Sequence, residues 1–114
     1  MTSASVCINN RKIRGRIITV HVKYFANIRE VAGISNDSLD LVSGSTVYDL
    51  LYMITELYGD EMGEEIFDNK NASGLRDDMM LTINEAIINH MKSAETMLKP
   101  GDVVALFPIF PGGG

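Results

Sequence analysis

A chain of 114 residues with 46% hydrophobic and 22% charged content has the make-up of one soluble globular domain around a single small core. Its longest apolar runs, VVALF at 103–107 among them, fall far short of the roughly 20 residues a spanning helix needs, and the N-terminus lacks the apolar run of a secretory signal. A cytoplasmic protein with no membrane contact is expected. The formal charge of −5 is unevenly spread. Residues 1–16 hold Arg11, Lys12, Arg14 and Arg16 and no acid, so residues 17–114 set the other 6 of the 10 bases against all 15 acids. That acidic body excludes nucleic acid as the main partner, because phosphate binding needs clustered Lys and Arg; it suits a basic protein surface instead.

Residues 1–16 are expected to form a disordered basic arm, and residues 17–114 the folded domain. Cys7, the single cysteine, lies in that arm without a disulfide partner and is read as chemically incidental. The first strand is IITVHVKYF (17–25), where Ile18, Val20, Val22 and Tyr24 alternate with polar neighbours. ANIREVAGISND carries turn residues at Gly33, Asn36 and Asp37, and SLDLV (38–42) alternates again, which predicts a hairpin with a long connection. The clearest helix follows: Thr46 caps it, Asp49 stands three residues on, and Val47, Leu50, Leu51, Ile54, Leu57 and Tyr58 form one face until Gly59 ends it.

From Asp60 to Asp78 the chain reads as an acidic surface loop with a short helix at EMGEEIF. MMLTIN (79–84) and AIIN (86–89) predict a second hairpin turning at Asn84 and Glu85, SAETMLKPGD a helical turn, and DVVALFPI (102–109) a buried central strand. One amphipathic helix must then cover one face of a mixed sheet: an α+β, β-grasp (ubiquitin-like) fold, with the first and last strands adjacent and parallel. His21 and His90 show no ligand spacing, so no metal site is expected. Arg29 reads as a structural salt-bridge residue, and the Met residues at 53, 62, 79, 80, 91 and 97 as core filling.

The chain closes on FPIFPGGG (107–114). A carboxylate is a poor acyl electrophile until its oxygen joins a good leaving group, which ATP provides by forming an acyl-adenylate. Gly113 and Gly114 have no side chain to obstruct passage into another protein's active site, Pro108 and Pro111 stiffen the stalk behind them, and Phe107 and Phe110 are suited to anchor its base.

Four segments, VKYFANIREVAG, SGSTVYDLLYMITELYG, LTINEAII and LKPGDVVALFPIFPGGG, resemble in order the MoaD/ThiS sulfur carriers, over nearly all of residues 17–114. The stretch between helix and third strand and the Phe/Pro-rich exit are more similar to the molybdopterin synthase small subunits than to the shorter thiamine carriers. The basic arm and the third terminal glycine depart from the pattern. The resemblance implies a non-catalytic, sulfur-donating subunit that binds no cofactor of its own. An E1-like adenylating enzyme would activate Gly114 with ATP, and a sulfur donor protein would convert it to a thiocarboxylate. Gly112 and Gly113 would thread with it into the molybdopterin synthase large subunit, gripped through Phe107, Pro108, Phe110 and Pro111. Two other functions use the same fold: a modifier joined through Gly114 to lysines, and a noncatalytic ubiquitin-like interaction module. Val104, Leu106 and Phe107 are expected together on the partner-facing patch.

Overall fold

A computed structural model describes residues 6–8, 11–13 and 16–109. Two short strands, β1 (Val6–Ile8) and β2 (Arg11–Ile13), pair antiparallel in the arm where the sequence predicts disorder. Each body strand follows the alternation written in its residues. In β3 (Ile17–Tyr24), Ile18, Val20, Val22 and Tyr24 are buried, while Thr19, His21 and Lys23 point to the other face. β4 (Asn36–Val42) pairs antiparallel with β3 and begins two residues earlier than its hydrophobic pattern shows. Asn36 and Asp37, read as turn residues, are its first rungs.

Between them the chain forms a helix that the sequence reading missed, α1 (Ala26–Ala32). No side chain caps its start at Phe25, and the segment has little helical periodicity. It exists because Ile28 is buried against the sheet and because Gly33, at φ 79°, closes the last turn by donating its N–H to the Arg29 carbonyl.

The main helix, α2 (Val47–Tyr58), carries the predicted capping box: the Asp49 N–H donates to Thr46 Oγ1 and the Thr46 N–H to Asp49 Oδ2. Val47, Leu50, Leu51 and Ile54 are fully buried, but Leu57, assigned to the same face, is exposed. The backbone N–H groups of Val47 and Tyr48 donate to the Thr96 and Ser93 carbonyls, so the 93–98 segment covers the helix start. Gly59 (φ 92°) ends α2 and opens α3 (Asp60–Ile66), which buries Met62 and Ile66. The loop after it is no mere surface excursion, since Leu75 is fully buried.

β5 (Met79–Ile83) and β6 (Ala86–Ile88) form the second hairpin, with Asn84 and Glu85 at φ 50° and 74° as the paired positive values of a tight turn require. After a 3₁₀ turn at His90–Lys92, β7 (Val103–Pro108) enters the middle of a five-stranded sheet of order β4-β3-β7-β5-β6. It runs parallel to β3 and antiparallel to β5. This is the predicted β-grasp, with α3 at the short helix read in EMGEEIF and α1 as the one unpredicted helix. Met62 and Met79 are core residues as expected, whereas Met91 and Met97 are exposed.

One polar group ties the layers together. Asp37 Oδ2 accepts from Tyr58 Oη at 2.6 Å and from Tyr24 Oη at 3.3 Å, joining β4, α2 and β3, with the two rings edge to face. Burial, then Tyr58 and Asp37, push the Tyr24 phenol above its ordinary range.

Candidate functional site

β7 decides what the chain presents. Its alternation sends Val104 and Leu106 into the core, where both are fully buried, and leaves Val103, Ala105 and Phe107 on the face away from α2. The expectation that Val104, Leu106 and Phe107 share a partner-facing patch is therefore corrected: only Phe107 is there. Pleating forbids neighbours in one strand from sharing a face.

Phe107 lies half-buried at the mouth of the strand, its ring stacked on Phe25 with centroids 4.3 Å apart and planes 12° apart. Pro108 is the last paired residue, opposite Met79. The Ile109 N–H then donates to the Asp78 carbonyl at 2.7 Å, holding the departing chain against the approach to β5. Asp78 is itself fixed by Arg76, which donates through Nε (2.8 Å) and Nη2 (2.6 Å) to its two carboxylate oxygens and through Nη1 to the Glu64 carbonyl. The Arg76 guanidinium holds the Asp78 carboxyl below its ordinary range, partial burial opposing it less strongly. At this exposure the pair adds little stability; it fixes the side chain of the residue whose backbone carbonyl receives Ile109. Phe110, Pro111, Gly112, Gly113 and Gly114 lie outside the described residues.

Beside the exit, Met80, Ile87, Val103, Ala105 and Phe107 line an open apolar groove with Lys23 at its edge. Ile87 is 70% exposed, an unusual display for an isoleucine in a strand. Asn84 clamps the groove's far end: Oδ1 accepts the Val103 N–H and Nδ2 donates to Asp102. The rest of the same face is polar, with Thr19 bonded to Asp40 and His21 Nδ1 at 3.0 Å from Ser38 Oγ. Sequence reasoning missed Met80, Ile87 and Val103; the alternation in MMLTI and AII contained the signal, but nothing in the sequence fixed which face α2 would cover.

Arg29 is exposed and makes no ion pair among the described residues, which corrects its reading as a structural salt bridge. His90 opens the 3₁₀ turn, and among the described residues no cluster of His, Cys, Asp and Glu could hold a metal ion. No helix of the described residues is long and apolar enough to cross a membrane.

The ThiS family model matches residues 22–113, from the middle of β3 into the glycine tail. The chain belongs to the ThiS family. A molybdopterin synthase sulfur carrier subunit from Drosophila yakuba is 30% identical over 99 residues, 87% of this chain and 96% of that protein. Among solved structures, the small archaeal modifier protein 1 from Methanosarcina acetivorans is 32% identical with a TM-score of 0.70, covering 87% of this chain and all of that one. The Haloferax volcanii HVO 2177 protein superposes with a TM-score of 0.74 over 96% of this chain and 99% of that one, at 22% identity, a likeness of fold. Relatives with two kinds of printed role, a sulfur carrier subunit and a modifier protein, thus match this chain over most of its length.

Proposed function

We propose that this ThiS-family chain is the sulfur carrier subunit of a molybdopterin synthase. The observation that carries the reading is the exit of β7. A strand buried at the centre of the sheet leaves the domain past Phe107 and Pro108, fixed by Phe25 and Asp78, and the F-P-G-G-G segment follows at once. A rigid base places a slender end, so less conformational entropy is lost when that end enters a partner. The names of the Drosophila relatives support the pathway.

Chemically, a Gly114 carboxylate oxygen attacks the α-phosphorus of ATP in an E1-like activating enzyme, and pyrophosphate leaves. A sulfur donor protein then delivers sulfur at the oxidation level of sulfide, which displaces AMP and gives the thiocarboxylate. The large synthase subunit receives Gly112–Gly114 in its active site, where the sulfur passes to the pterin precursor. The open groove and Phe107 supply the apolar surface that such partners cover, with Phe110 and Pro111 gripped at the entrance.

The test is the intact mass of the protein after incubation with activating enzyme, ATP and sulfur donor. The expected gain is that of one oxygen replaced by sulfur, absent when Gly112, Gly113 and Gly114 are all deleted. An unchanged mass, with an activating enzyme that thiolates its own carrier, refutes the proposal. The 32% identity to a small archaeal modifier protein favours a second reading, transfer of the activated glycine to lysine amines. Isopeptide-linked conjugates ending in this tail would establish that role.

A further inference from the structure

The helical layer, on the opposite side of the domain from the groove, carries a second surface. Tyr48 and Tyr52 on α2 and Phe67 after α3 form a mutual cluster: Tyr48 meets Tyr52 at 5.1 Å and Phe67 at 5.7 Å, both edge to face, and Tyr52 stacks on Phe67 at 5.0 Å and 28°. Tyr52 is 53% exposed, so the cluster is a ledge rather than core. Phe67 is also one wall of a shallow depression whose rim holds Asp60, Glu64 and Asp68. These three carboxylates make no ion pair among the described residues: Arg76 is committed to Asp78, and Lys70 reaches Asp68 Oδ1 only through its backbone N–H, which leaves the other carboxylate oxygen of Asp68 open. Gly63 makes the depression possible: even a methyl group there would stand 3.1 Å from Thr55 Cγ2, so α3 could not lie this close to α2 without adjustment.

We infer that this ledge docks an arginine-bearing basic segment of a partner protein. An exposed ring face attracts a cation, and carboxylates beside it pair with the same group. Phe67 belongs to both the aromatic cluster and the depression, so a planar guanidinium on the Tyr52–Phe67 ledge can stack on a ring and turn its N–H groups to the rim, where an ammonium meets only one demand at a time. The acidic rim repels nucleic acid and anionic lipid, which leaves a polypeptide as the occupant. The inference goes beyond the proposed function: a partner held here leaves the sheet groove and the tail free, so the carrier can be retained while its end reacts elsewhere.

The experiment is an NMR titration of the full chain, ¹⁵N-labelled, with the peptide acetyl-GRGRG-amide and, in parallel, with its lysine and citrulline counterparts. Shifts are expected at the amides of Tyr52, Phe67 and Asp68, with the lysine peptide weaker by roughly threefold or more and the neutral citrulline peptide inactive. Tyr52→Ala, or the combination Asp60→Asn, Glu64→Gln and Asp68→Asn, should weaken binding roughly fivefold, while Glu30→Gln with Glu85→Gln and Glu95→Gln changes the net charge equally and should have little effect. Equal weakening by both triple variants, or shifts spread over the whole acidic surface, overturns the assignment. A spin label on Cys7 in the full chain that broadens Tyr52 and Phe67 would make the chain's own arm the occupant, and that too overturns it.

Discussion

Replacing Asp37 by Ala removes the one carboxylate that two tyrosine hydroxyls share. Tyr58 Oη donates to it at 2.6 Å, a short charge-assisted bond, and Tyr24 Oη at 3.3 Å, a longer and weaker one. Bonds to charged groups contribute about 1.5–3 kcal/mol when both partners are desolvated. Tyr58 is only half-buried and can turn to water, so its loss falls near or below that lower bound. Tyr24 is 1% exposed and its hydroxyl has less recourse, which offsets its longer bond. Together the loss comes to about 2 kcal/mol, a fall of about 10 °C in Tm for a domain of this size. Denaturant unfolding at pH 7 measures it, and the combination with Tyr58→Phe should show a coupling of about 1 kcal/mol. A loss below about 0.5 kcal/mol, or strict additivity with Tyr58→Phe, would show that Asp37 is solvated and does not join the layers.

Other outcomes follow from the same structure. The Tyr24 phenol titrates above 10.0 in the folded state, so the folded form holds that proton more tightly than the unfolded chain does. This contribution is complete below pH 10 and is lost as pH rises from there toward the folded-state value; Tyr24→Phe should flatten the alkaline limb of a stability–pH profile. Ser93 is fully buried and its Oγ has no hydrogen-bond partner among the described residues. Ser93→Ala should therefore leave stability unchanged or raise it by about 1 kcal/mol in urea unfolding, where loss of a satisfied hydroxyl would lower it. Leu106→Ala should cost about 2–5 kcal/mol of stability, as expected for a fully buried leucine. Phe107→Ala, one residue on, should cost about 1 kcal/mol in folding yet weaken binding of the large synthase subunit roughly tenfold or more by calorimetry, because its ring faces the groove.

Legibility differed from element to element for identifiable reasons. The capping box at Thr46 and Asp49, the turn at Asn84 and Glu85 and the apolar run of β7 are local, so their signals sit within a few residues of one another. α1 had no such signal, because burial of Ile28 and the αL turn at Gly33 hold it rather than propensity. The arm shows the converse, since its basic composition argued for disorder and said nothing of the β1–β2 pairing. Leu57, Met91 and Met97 have the hydrophobicity of core residues but stand in solvent, because a helix face or loop is buried only as far as its neighbours extend.

The sequence by itself determined the five strands of the main sheet, the main helix, the parallel pairing of β3 with β7, and the run of glycines that follows β7 in the chain. These depend on period, capping and chain connectivity, which act along the backbone. The tertiary structure alone decided which side of the sheet stays bare, that Phe107 faces it while Leu106 does not, and that Tyr48, Tyr52 and Phe67 meet between two helices. Those facts depend on where α2 and α3 come to rest, and that is fixed by contacts between residues far apart in the chain.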